Sequence, residues 1–185
     1  MKKILFIVDP QNDFITGSLA VAGAEDPMHK LTENLKDNVD SYEQVFVTMD
    51  SHEEKHCSFA ENGGQWPVHC VVKTLGWEIP DYLLNVLPQQ TGILYKGFTK
   101  EEYSIFESEY VFTTLGYLHH VTSLYDDVQI DICGIAGDYC VLNTIKDLIK
   151  YNFGKNLNIL TEYIASIDGG ETLNNYIEEN NLKYC

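Results

Sequence analysis

The chain has no arginine. Its 12 basic residues are all lysine, set against 28 acidic ones, for a formal net charge of −16. A surface this acidic repels the phosphates of nucleic acids and anionic membranes, which excludes both as partners. The chain has no run of 18 apolar residues of the kind that crosses a bilayer. A secretory pattern is also missing, because Lys2-Lys3 passes straight into a strand-length apolar run that ends at Asp9. The five cysteines are an odd number without paired spacing, so no disulfide framework is expected. A reducing, cytoplasmic compartment fits them. Internal repeats, low-complexity segments and linkers are lacking, and one domain over residues 1–185 is expected, long enough for a substantial core.

What is present is an alternation of short apolar runs and helix-length segments. Strands are predicted over 3–8, 44–48, 92–96, 129–135 and 157–161, and helices over about 27–41, 106–122, 139–152 and 170–181. Strands separated by helical segments imply βαβ units. The expected fold class is α/β, a three-layer sandwich with a mostly parallel central sheet flanked by helices on both faces. The stretch 50–91 has Gly, Pro and aromatics but little periodicity, as ordered functional loops often do.

Three strand ends carry reactive side chains. The run 128–133 leads into Gly134-Ile135-Ala136-Gly137-Asp138-Tyr139-Cys140, placing Cys140 where a buried strand turns into a helix. N–H groups at a helix start stabilise a thiolate and can hold an oxyanion. Asp9 follows the first strand, and Lys96 closes the run Gly92–Lys96. Ligands of open α/β sheets bind at the carboxyl ends of strands. Separately, the three read as a small buried thiol, a turn-forming acid and a solvated charge; together they describe one crevice. Asp50 and His52, two apart on extended backbone, project to one side, and His69 follows a loop rich in chain breakers. One carboxylate and two imidazoles can hold Zn²⁺, Mn²⁺ or Fe²⁺ with positions left open, while a turn cap and surface histidines would read the same way.

Seven ordered segments carry a resemblance. They are Val8-Asp9-Pro10-Gln11-Asn12-Asp13-Phe14, Thr48-Met49-Asp50-Ser51-His52, His56-Cys57-Ser58-Phe59, Trp66-Pro67-Val68-His69-Cys70, Tyr95-Lys96-Gly97, Glu102-Tyr103-Ser104-Ile105-Phe106 and Gly134–Val141. In this order, from residue 3 to about 165, the chain resembles the nicotinamidase branch of the isochorismatase-like cysteine hydrolases. The resemblance implies catalytic roles for Asp9, Lys96 and Cys140, with Asp9 as base. It implies an oxyanion hole from the backbone of Ala136 and Cys140, aimed by a cis peptide just before Ala136. It implies one divalent metal, zinc first and Fe²⁺ or Mn²⁺ as alternatives, on Asp50, His52 and His69, with Glu61 a further ligand as in some members. His56 matches a structural position, and Phe14, Trp66 and Tyr103 match positions lining the ring pocket. The implied reaction is hydrolysis of nicotinamide to nicotinate and ammonia through a cysteine thioester, in NAD salvage. Pyrazinamide, a near-isostere, should also be accepted, and a homo-oligomer is left open.

The chain departs from the family pattern at three points. Ser51 replaces a frequent Trp, Glu53 a frequent Pro, and Gly137 a frequent Thr. Two other readings stand beside the first. A carbamoyl or ureido amidase of the same superfamily would use Asp9, Lys96 and Cys140 without a metal. A non-catalytic metal-binding or redox-sensing protein would use a reactive Cys140 but give Asp9 and Lys96 no role.

Overall fold

The computed structural model describes residues 1–185. Five strands, β1 (Lys2–Val8), β2 (Gln44–Asp50), β3 (Gly92–Lys96), β4 (Val128–Ile135) and β5 (Leu157–Ala165), form one sheet in the order β3-β2-β1-β4-β5. All four pairings are parallel. Helices α1 (Asn12–Ile15), α2 (Glu25–Asn38), α3 (Asp81–Leu84), α4 (Val111–Leu124), α5 (Leu142–Lys150) and α6 (Glu171–Glu179) lie in the connections and after β5. No helix is long and apolar enough to cross a membrane.

The apolar runs are continuous because the sheet is buried on both faces. Ile4, Phe6 and Val8 of β1 point into one core with Leu118 of α4, Ile145 of α5 and Ile177 of α6. Leu5 and Ile7 point into the other, with Met28, Leu31 and Leu35 of α2 and Leu83 of α3. The strand order reverses between β1 and β4. That switch point lies between the chain segments carrying Asp9 and Cys140, where α/β sheets open a crevice.

Several boundaries differ from the expectation. β2 runs on to Asp50, since pairing with β3 continues through Asp50↔Lys96. The helix expected over 106–122 is two pieces. A capping box on Ser104 and Glu107 closes a single 3₁₀ turn, Ile105–Glu107, and α4 begins afresh at Val111. The helix expected from 139 starts with a π turn over Gly137–Val141, and α-geometry begins at Leu142. β5 continues to Ala165 after a register shift opposite Ile132 and Gly134.

Candidate active site

Asp9, Asp50 and Lys96 arrive at the carboxyl edge from three adjacent strands. Asp9 lies one residue past β1, bent out of the ladder at φ 45°, and its N–H donates to the Thr48 carbonyl (3.1 Å). The Thr48 hydroxyl donates to Asp9 Oδ1 (2.6 Å). Lys96 is wholly buried. Its Nζ lies 2.9 Å from Asp9 Oδ2 and 3.1 Å from Asp50 Oδ1. It also reaches the Glu102 carbonyl (3.2 Å) and Cys140 Sγ (3.6 Å). One ammonium thus serves two carboxylates and a thiol. Beyond this ion pair with Lys96, Asp9 Oδ2 has no hydrogen-bond partner.

Burial and this shared charge set the protonation states. Burial pushes the Cys140 thiol well above its ordinary range, against the pull of the Lys96 ammonium, so the thiol is protonated at rest. Burial likewise lifts Asp9, although Lys96 opposes it. For Asp50, burial is outweighed by the Lys96 ammonium and by the adjoining His52 and His69 side chains, which hold the carboxyl well below the usual range. Lys96 stays charged because Asp50 and Asp9 outweigh its burial. A neutral thiol beside a carboxylate of raised proton affinity is a suitable pair for proton transfer.

The backbone after β4 shapes the other wall. The Ile135–Ala136 peptide is cis, as the family pattern implies. The Ala136 carbonyl accepts from the N–H groups of Tyr139 and Val141 (3.1 Å each), passing over that of Cys140 between them. π turns of this kind are frequent at functional sites. A Cβ on Gly137 would come within 2.0 Å of Ser166 Oγ, so Ser166 occupies the space that a threonine would need.

Asp50, His52 and His69 converge, all buried, with their ligand atoms within 4.8 Å of one another. His52 Nε2 is 2.9 Å from Asp50 Oδ2 and 3.2 Å from His69 Nε2. Each imidazole donates its Nδ1–H to a carbonyl, His52 to Gly97 (2.6 Å) and His69 to Pro67 (2.7 Å). That fixes both Nε2 lone pairs inward. Lone pairs and a carboxylate oxygen aimed at one point are held together by a proton or a cation, and such carbonyl partners are what metal-ligating histidines have. The donor set therefore fits a divalent ion.

Two elements missing from the sequence reading support the trio. Gln11 clamps Asp50 from both sides, accepting from its N–H (2.7 Å) and donating to its carbonyl (2.8 Å). Asp13 accepts from the Cys70 N–H (2.7 Å), anchoring the His69 loop. Both lie in the Asp-Pro-Gln-Asn-Asp-Phe segment, which was the available signal. Ser51 accepts from Trp77 Nε1 (2.8 Å), bringing a tryptophan in from elsewhere beside the ligand loop. His56 stacks on His52 with ring centroids 4.1 Å apart. Glu61 does not join the trio; it stands exposed on the 3₁₀ turn Ala60–Asn62.

Above these groups opens a cavity of about 480 Å³, counting its mouth. Phe14, Trp66 and Tyr103 line it, the positions that the resemblance implied, with Tyr139 and Glu101 in addition. Trp66 and Tyr139 meet edge to face at 5.0 Å. The Tyr103 hydroxyl donates to Glu101 and accepts from Trp66 Nε1 and Gln65 Nε2 (3.3 Å each). Burial, then the Glu101 bond, pushes this phenol up to about 12, so it remains a donor. The floor is polar and the walls are aromatic, as suits a flat ring with one reactive substituent.

Comparison with known proteins agrees with this geometry. The profile described as "Isochorismatase domain" matches residues 3–157. A nicotinamidase of Saccharomyces cerevisiae is 30% identical over 96% of this chain and 94% of its own. The structure of Pyrococcus horikoshii pyrazinamidase in complex with zinc superposes with a TM-score of 0.84 at 29% identity, covering 100% of this chain and 99% of that one. The yeast nicotinamidase bound to the inhibitor nicotinaldehyde gives 0.82 at 28% identity, with 98% of each chain covered.

Proposed function

The chain belongs to the isochorismatase domain family, and from that premise we propose that it is a nicotinamidase, hydrolysing nicotinamide to nicotinate and ammonia. One observation carries this reading. Cys140, Lys96, Asp9 and a three-residue metal trio meet beneath an aromatic-walled pocket, with Lys96 Nζ 3.6 Å from the thiol and 2.9 Å from Asp9.

In the proposed mechanism Asp9 takes the Cys140 proton while Lys96 balances the charge that develops on sulfur. The sulfur attacks the carboxamide carbon, and the C–N bond breaks after Asp9 returns the proton to the amide nitrogen. The N–H groups of Ala136 and Cys140 hold the oxygen through the tetrahedral stage. Ammonia leaves a thioester on Cys140. Water then gives a proton to Asp9 and attacks the thioester, releasing nicotinate and, once Asp9 reprotonates the sulfur, the thiol. A divalent ion on Asp50, His52 and His69 would act as a Lewis acid that orients the pyridine nitrogen; zinc is favoured by the imidazole-rich donor set. Phe14, Trp66 and Tyr103 hold the ring, and pyrazinamide fits the same walls. The role follows as recycling of nicotinamide toward NAD in the cytoplasm, a compartment supported by five free thiols.

The test is ammonia release from nicotinamide by the purified protein before chelation, after it, and after metal add-back. Loss on chelation with recovery on add-back supports the reading. Activity indifferent to chelation would favour the metal-free ureido or carbamoyl alternative, and no release after reconstitution would refute amide hydrolysis of nicotinamide.

A further inference from the structure

The pocket mouth carries a carboxylate that the proposed chemistry does not use. Glu101 lines the cavity and is exposed to solvent. The neighbouring lysine does not neutralise it, because Lys100 Nζ pairs with Glu102 (2.9 Å). Glu101 accepts from the Tyr103 hydroxyl, whose own lone pairs take Trp66 and Gln65, so the charge is fixed to the aromatic rim.

Resting on the nicotinamidase reading, we propose that Glu101 is a charge filter that sets the pocket's preference for neutral amide over anionic acid. The reaction changes ligand charge from zero to minus one while leaving the ring unchanged. An uncompensated carboxylate at the rim is indifferent to the amide and repels the acid. Glu101 therefore weakens retention of the carboxylate product and turns away other small aromatic acids. It is a specificity-determining residue and takes no part in bond making.

Glu101→Gln removes the charge and keeps the oxygen that accepts from Tyr103; Glu101→Ala removes both. In a metal-reconstituted Cys140→Ala background, which prevents turnover, calorimetric titration with nicotinate and with nicotinamide separates the effects. Glu101→Gln is expected to tighten nicotinate about three- to fivefold at low salt, with the gain shrinking as salt rises, as for a partly screened charge. Nicotinamide affinity should stay within about 1.5-fold on the same scale. Glu101→Ala should weaken both ligands relative to Glu101→Gln, because the Tyr103 rim loses its acceptor. An unchanged nicotinate affinity in Glu101→Gln, or equal changes for both ligands, overturns the filter. Failure of the parent protein to bind either ligand overturns the nicotinamidase reading and the filter with it.

Discussion

Asp9 and Asp131 are both buried acids of the central sheet, one just past the end of β1 and the other inside β4. Asp131 is saturated. Its Oδ1 accepts from Gln129 and Asn158 (2.7 Å each), and its Oδ2 from Tyr42 (2.9 Å), with Lys3 Nζ at 3.2 Å. Asp9 has the Thr48 hydroxyl on one oxygen and, at the other, an ammonium that it shares with Asp50 and Cys140. Filling every lone pair fixes a carboxylate as a structural tie; leaving one unfilled keeps a place for a proton. The two sites show that burial of an acid says little until its partners are counted.

The contrast can be broken at its active end first. Cys140→Ala should lower kcat for nicotinamide by about a thousandfold or more while thermal unfolding stays close to the parent. Ammonia release above a few per cent of parental activity would remove the thiol from the mechanism. Lys96→Met should damage both properties. It leaves two buried carboxylates without their shared cation, at a cost of about 3–5 kcal/mol in denaturant titrations, and activity is lost as well. A variant with parental stability would mean that the cluster is not held by charge.

The pH profile sharpens the same point. Burial raises Asp9 above its ordinary 3.8 against the pull of Lys96, and in the proposed mechanism the ionised form is the one that accepts the thiol proton. Activity is therefore lost as pH falls through that raised value, and kcat/KM should show an acid limb with its midpoint above 3.8. Lys96, held well above its ordinary 10.5, adds no alkaline limb below that pH. An acid midpoint at or below the ordinary carboxylate value would contradict the assignment of Asp9 as base.

At the structural end the expected effects are smaller and confined to stability. Asp131→Asn should cost about 1–3 kcal/mol in chemical denaturation, since an amide cannot accept from all four donors. Its kcat/KM should match the parent, and a clear drop would mean that the two clusters are coupled through β4. Tyr42→Phe removes one of the four donors and should cost about 0.5–1.5 kcal/mol, again with unchanged turnover.

Much of the sheet was legible because strands buried on both faces read as unbroken apolar runs, and the residue ending each run marks the crevice. Helix starts were less so. Apolar periodicity joins the 3₁₀ turn at Ile105 to α4 and the π turn at Gly137 to α5, since a change of hydrogen-bond step barely alters the hydrophobic pattern. The metal trio followed from the family resemblance, since its residue types alone read equally as a turn cap and surface histidines, and the parts that orient it gave no signal. The carbonyls of Gly97 and Pro67 that set the imidazoles are backbone groups without a side-chain signature. Asp131 was hidden inside the run Val128–Cys133, where its partners come from positions 3, 42 and 158. Glu61 and His56 show the opposite limit: residues of ligand type near the loop, one standing exposed and the other stacked behind the trio.

The chain carries five thiols, and the two exposed ones, Cys57 and Cys185, are not the one proposed as nucleophile. Cys140 is stored uncharged at the bottom of a narrow aromatic passage, away from bulk solvent. Bulky alkylating agents meet only the outer pair at the surface. A reagent that reaches the inner sulfur must be small and flat and must bring its electrophilic carbon where the carboxamide would lie, so the shape of the passage, more than thiol reactivity, selects what can modify this protein covalently.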